Sequence, residues 1–255
     1  MNSTRSIDIN ADLGEHEGDG ASRDAAMLDI VSSASIACGA HAGSREVMEM
    51  TVNAALERGV TIGAHPSYPD LEGFGRRETQ ISLDEIIGSF REQIVLLEQV
   101  CAGAGARLAY VKPHGALYNR AARDAELAQA LTQCVLATNP RLAILALSGS
   151  RLESASRKAG LSVAREAFID RAYMADGTLM PRDRFGAVIT DVSIAGARAL
   201  EMAKYGAIRA FDGKRVFVAA ESLCVHGDST HAIEIVSTAR RRLEEIGITI
   251  APFAT

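Results

Sequence analysis

Five short segments carry side chains able to give, take or hold a proton or charge. They are Asp12-Leu13-Gly14-Glu15, Cys38-Gly39-Ala40-His41, Ala64-His65-Pro66, Lys112-Pro113-His114 and Val225-His226-Gly227-Asp228. Carboxylates, imidazoles and a primary amine are the groups of general acid–base catalysis. Each segment follows a short apolar run of strand character, and in an α/β barrel the positions just beyond the strand ends converge on one face. Five strands each delivering such a group would ring a small polar molecule. For any single histidine the structural reading, a satisfied core residue, weighs as much as a catalytic one; the shared position of His41, His65 and His114 favours a site. His16, in a polar glycine-rich loop, and His231, opening a helix, are read as structural or solvated.

The segment Pro66–Arg77 is long, stiffened by Pro66 and Pro69, and ends in the adjacent Arg76 and Arg77, which could clamp a carboxylate bidentately. Asp12, His41, His65 and His114 could supply N and O ligands to a divalent ion. No H-E-x-x-H pair accompanies them, so a divalent metal in this chain stays open. No G-x-x-x-x-G-K-[ST] and no G-x-G-x-x-G after a strand marks a nucleotide site.

The elements that must position these groups alternate in character. Strands are expected at Ser6–Ala11, Ser33–Cys38, Thr61–Ala64, Arg107–Val111, Ala143–Leu147, Ser162–Phe168 and Val216–Val225. Helices are expected at Ser22–Val31, Ser44–Arg58, Ser82–Ala102, Asp124–Thr138, Ser148–Ala159, Val192–Tyr205 and Thr230–Ile246. In Ser82–Ala102 the apolar residues Leu83, Ile86, Ile87, Phe90, Ile94, Leu97 and Cys101 step by three and four onto one face, and Ser82 with Glu85 forms a capping-box pattern. Seven strands alternating with helices indicate an α/β fold, a deformed seven-stranded TIM-like barrel, with an open doubly wound sheet as the alternative. With 255 residues and no Pro/Ser-rich linker, low-complexity tract or repeat, one domain spanning 1–255 is expected.

Composition excludes several classes. Apolar runs are too short to span a bilayer, which takes about 18 residues or more. Met1–Ile9 has no secretory apolar core, so a cytoplasmic, membrane-free protein is expected. Cys38, Cys101, Cys134 and Cys224 lie far apart, fitting neither a zinc ribbon nor a disulfide framework. A net charge of −5 argues against a nucleic-acid partner, and Arg240-Arg241-Arg242 reads as a solvated helix face.

Seven segments in order carry a family resemblance: Ala11–Glu15, Ile36–Gly43, Gly63–Asp70, Gly73–Arg77, Val111–Asn119, Asp170–Tyr173 and Cys224–Asp228. Together, over nearly the whole chain, they resemble the LamB/YcsF family, whose members include one component of ATP-hydrolysing 5-oxoprolinase. The resemblance implies a deformed seven-stranded (β/α) barrel of the glycoside hydrolase/deacetylase type. It also implies the opening of 5-oxo-L-proline (pyroglutamate) to L-glutamate, with Mg-ATP as co-substrate of a complex that includes two further subunits, of B and C type. An energy source makes physical sense, because the tethered product amine and carboxylate reclose at high effective molarity; a phosphorylated lactam oxygen would make the ring carbon a better electrophile.

Under this resemblance Asp12, Glu15 and His65 are the candidate bases, and His41, His114 and Lys112 would stabilise an oxyanion or phosphate. Arg76, Arg77 and Arg171 would take the substrate carboxylate, and Asn119, Asp170, His226 and Asp228 complete the substrate-binding set. Ser35, Ala40 and Ser44 depart from the family pattern at positions expected to line the site, which leaves the choice of lactam open. Two other readings stand beside this one: a stand-alone metal-dependent amidase or deacetylase, and a non-catalytic substrate-binding subunit.

Overall fold

The structure, a computed structural model, describes residues 5–16, 20–227 and 231–254. Its first half runs β1 (Ser6–Leu13), α1 (Gly20–Leu28), β2 (Ser33–Ala37), α2 (Arg45–Glu57), β3 (Thr61–His65), α3 (Leu83–Gly103), β4 (Leu108–Val111), α4 (Gly115–Arg123) and α5 (Ala125–Thr138). There follow β5 (Ala143–Leu147), α6 (Arg151–Lys158), β6 (Val163–Phe168), α7 (Val192–Tyr205), β7 (Ala207–Arg209), β8 (Arg215–Phe217), β9 (Ser222–His226), α8 (Ala232–Glu245) and β10 (Thr249–Ile250). Strands β1 to β6 pair in sequence, all parallel, and β9 pairs with both β6 and β1. The result is a closed seven-stranded parallel barrel wrapped by helices.

Strand periodicity sorts the side chains. Along β1, Ile7, Ile9, Ala11 and Leu13 join the apolar core beneath the helices, while the alternate residues Asp8, Asn10 and Asp12 point inward. Register carries that choice across the closure: Asp8, Asn10 and Asp12 stand beside Ser222, Cys224 and His226 of β9. The lumen is therefore polar along this seam. Opposite it, Tyr110 fills space against Gly63, where a Cβ would collide with the Tyr110 ring, so the lumen has room for one side chain there and glycine supplies the other wall. The helices pack as amphipathic layers. In α3 the buried residues include Ile86, Phe90, Ile94, Leu97, Val100 and Cys101, and Ser82 and Glu85 exchange both capping-box bonds.

The observed elements depart from the expected ones in several places. The run Val216–Val225 is not one strand. It breaks after β8, where Ala219 takes φ 32°, and only β9 enters the barrel; β8 pairs antiparallel with β7 outside it. The segment after Lys112, for which no element was expected, forms α4, whose first turn His114 precedes. Helix α1 ends at Leu28, not Val31. The last helix begins at Ala232, and Thr230, its expected start, lies outside the described residues. At the N-terminal end of the barrel β10 pairs with β1, and Phe253 packs edge-on to Tyr110 at 4.9 Å. All four cysteines are buried free thiols. Among the described residues no helix is long and apolar enough to cross a membrane.

Candidate active site

The C-terminal mouth of the barrel opens into a cavity of about 790 Å³, lined by Asp12, His65, Lys112, His114, Phe168 and His226 on the barrel side. Arg76, Asn119, Arg171 and Arg182 contribute from the surrounding loops and α4. Lys112 is the hub. Its side chain is 2% exposed, and its Nζ lies 2.8 Å from Asp12 Oδ1 and 2.8 Å from Glu166 Oε1. It also donates to Asn10 Oδ1 at 3.2 Å and to Cys224 Sγ at 3.2 Å. Burial opposes the charge of both Lys112 and Asp12. Asp12, Cys224 and Glu166 together outweigh burial for the ammonium and hold it well above its ordinary value, while His65 and Lys112 hold the Asp12 carboxyl well below the usual range. Each charge exists in the barrel because the other does.

Above this pair three imidazoles interlock. His65 Nδ1 donates to the Lys112 carbonyl at 2.8 Å, and His114 Nε2 donates to the Phe74 carbonyl at 2.9 Å. The other two nitrogens, His65 Nε2 and His114 Nδ1, face each other at 2.9 Å, with Asp12 Oδ2 3.3 Å from His65 Nε2. His41 stacks flat on His114, centroids 3.8 Å apart, and its Nε2 meets Glu15 Oε1 at 3.1 Å. Burial lowers His41 to about 4; burial first, then the like charge of His41 and His65, takes His114 well below its ordinary value. Both rings are neutral near pH 7. The backbone is bent to make this cluster: Phe74, a bulky residue, takes φ 54°, an uncommon conformation for such a side chain. Gly75 follows at φ +63°, where a Cβ would meet His41 and His114 at 2.9 Å.

Across the cavity a second acid–histidine pair stands apart. Asp170 Oδ2 accepts from His226 N and from His226 Nδ1, both at 2.9 Å. That fixes Nδ1–H, and Phe168 stacks on the ring at 5.2 Å. Burial works against the Asp170 charge, but His226 outweighs it and lowers the carboxyl. Among the described residues four buried side-chain atoms have no hydrogen-bond partner, and two of them, His41 Nδ1 and Asp170 Oδ1, belong to these acid–imidazole groups; structures normally avoid that cost unless a ligand or water meets them.

The structure brings Asp12, Glu15, His41, His65, Lys112 and His114 into one cluster and places Arg76, Asn119, Asp170, Arg171 and His226 around the same cavity. Asp228 lies outside the described residues. Arg77 does not line the cavity: its guanidinium grips Asp70, with Nε 3.1 Å from Oδ1, and turns outward. The adjacent-arginine clamp is thus not assembled, because consecutive loop residues point opposite ways. Ser44 is the N-cap of α2, and Ser35 bonds Tyr110 at 3.1 Å inside the barrel; like Ala40, they are not among the residues lining the cavity. Sequence reasoning missed Asn10, Glu166 and Tyr118, whose hydroxyl donates to Glu166 Oε2 at 2.6 Å. The available signals were an acid inside the short strand Val163–Phe168 and the alternation of Asp8, Asn10 and Asp12.

Two sets of ligand atoms lie within 4.8 Å of one another, Asp12/His65/His114 and Glu15/His41/His114. Their nitrogen and carboxylate donors suit a borderline divalent ion such as zinc.

Comparison with known proteins agrees with this architecture. The model of the LamB/YcsF family matches residues 7–255. The chain is 49% identical over 247 residues to the A-type subunit of the 5-oxoprolinase of Heliobacterium modesticaldum, covering 96% of each chain. It is 47% identical over 252 residues to an A-type 5-oxoprolinase subunit of Agrobacterium fabrum, covering 98% of each. Among solved structures, the lactam utilization protein from Thermus thermophilus superposes with a TM-score of 0.90 at 42% identity, over 97% of this chain and 100% of that one.

Proposed function

Because this chain belongs to the LamB/YcsF family, we propose that it is the lactam-opening subunit of an ATP-dependent 5-oxoprolinase. It converts 5-oxo-L-proline to L-glutamate in a cytoplasmic complex with two further subunits, of B and C type, with Mg-ATP as co-substrate of the whole assembly. The observation that carries this reading is the cavity itself, where two acid–imidazole systems, His65–Asp12 and His226–Asp170, border one space of small-molecule size. Opening a cyclic amide needs a base for the attacking water and an acid for the departing nitrogen, and the two pairs offer one each. The names of the relatives support the substrate class.

In this reading His65, oriented by the Lys112 carbonyl and by Asp12, takes the proton from water. His226, held by Asp170, returns one to the ring nitrogen as the amide bond breaks. Lys112, already shared by two carboxylates, acts as a fixed positive charge that keeps Asp12 ionised and in place, not as a nucleophile. Arg76 and Asn119 hold the substrate carboxylate. The ATP-handling step is assigned to the partner subunits.

A second reading, a stand-alone metal-dependent amidase, is favoured by the facing nitrogens of His65 and His114. A divalent ion there would be held by Asp12, His65 and His114 and would polarise the amide carbonyl. Glutamate release from 5-oxo-L-proline, with and without ATP, by this chain alone and with its two partner subunits separates the two. Release that requires ATP and all subunits is expected; release by this chain alone without ATP would transfer the assignment to the amidase.

A further inference from the structure

Arg171 is 4% exposed and borders the cavity. Its Nε donates to the Ala187 carbonyl at 3.3 Å and its Nη2 to the Met180 carbonyl at 2.6 Å. These neutral acceptors use fewer than half of its N–H donors and fix the plane of the guanidinium. No carboxylate among the described residues lies within ion-pair distance of it, and the neighbouring Asp170 gives its Oδ2 to His226. A buried cation without a counter-ion is costly, and such groups are normally paired. Arg182 and Arg76 line the same cavity. Burial, then the charge of Arg182, lowers Arg171 to about 10, which is what a desolvated guanidinium held near another one experiences. Of the acids on this rim, Asp176 is engaged by Thr178.

We propose that Arg171 and Arg182 form an anion subsite for a phosphoryl group beside the lactam-binding cavity. A monocarboxylate presents its two oxygens to the fork of one guanidinium, whereas a phosphoryl dianion has three oxygens and accepts from two guanidiniums at once. The subsite deepens the 5-oxoprolinase reading, on which it rests for its biological meaning: the ring acid reaches this chain with a phosphoryl group attached, or phosphate departs from here. Arg182 thereby becomes a specificity-determining residue.

The test is calorimetric titration at constant ionic strength with inorganic phosphate, methylphosphonate and acetate. Phosphate is expected to bind the intact chain more tightly than acetate, and about tenfold or more weaker to Arg171→Gln and Arg182→Gln, as for loss of a charge-assisted bidentate contact. Arg209→Gln, on the exposed hairpin β7–β8, should bind as the parent does. Arg182 is half-buried, not buried like Arg171, so Arg182→Gln is expected to fold and serves where Arg171→Gln does not. Binding of phosphate and methylphosphonate alike supports a phosphoryl group carried on the substrate, and binding of phosphate alone supports the free ion. Acetate binding as tightly as phosphate, or parental phosphate affinity in Arg182→Gln, overturns the subsite. Failure of ATP-dependent glutamate release would remove the enzymatic reading and leave these titrations standing.

Discussion

His65 Nε2 and His114 Nδ1 face each other at 2.9 Å while the far nitrogen of each ring donates to a backbone carbonyl. Carbonyls only accept, so each far nitrogen carries its hydrogen, and two neutral rings would oppose lone pair to lone pair. The two facing lone pairs offer a site for one proton, the one drawn from water in the proposed reaction, or for one cation. Either way the pair is held in one geometry, next to Asp12 Oδ2, before substrate arrives.

His65→Ala is therefore expected to lower glutamate release by the assembled complex at least about a hundredfold, the usual scale of a lost general base, with the melting temperature near that of the parent. Full activity in this variant would favour the non-catalytic substrate-binding reading.

Exhaustive chelation followed by assay of the assembled complex tests the cation. With ATP-driven chemistry and a shared proton, activity survives once Mg²⁺ is resupplied for the nucleotide. Activity restored only by zinc or another transition ion would place that ion on Asp12, His65 and His114.

Lys112→Met removes the ammonium between Asp12 and Glu166 and leaves two buried carboxylates facing each other. Destabilisation of about 3–5 kcal/mol is expected in urea unfolding, the scale for stripping one partner from a buried ion pair. Arg77→Ala, which breaks an outward-facing pair with Asp70, should leave stability unchanged by the same measurement.

Asp8 sits at the opposite end of the lumen, accepting from Ser32 at 2.6 Å, Ser33 at 2.7 Å and also Ser222. Burial raises it from 3.8 to about 6 despite these donors. The folded state then binds this proton more tightly than the unfolded chain, so Asp8 makes folding less favourable above its folded pKa and the deficit is relieved on acidification. Between about pH 8 and about pH 5 this contributes roughly 1 kcal/mol of added stability. Comparing the pH dependence of unfolding in the parent and in Asp8→Asn isolates the effect; equal pH slopes would show that Asp8 is not proton-linked to folding.

Much of this protein was written locally. The alternation of apolar runs with amphipathic helical segments specified a seven-strand α/β barrel, since period and length are set by side chains a few residues apart, and the polar residues after β1, β2, β3, β4 and β9 marked the functional end. What residues do to one another was not local. Glu166 went unmarked in the sequence and meets Lys112 only through barrel closure, and Arg76 and Arg77 looked like one clamp until the turn at Phe74 and Gly75 set them on different surfaces. Val216–Val225 read as one strand because periodicity cannot see the bend at Ala219. The charge balance around Lys112, the facing nitrogens of His65 and His114, and the buried guanidinium of Arg171 all depend on which strands become neighbours and in what register. Those choices are made by the closed sheet, whose pairings bring opposite charges together across the lumen, and no segment of sequence contains them alone.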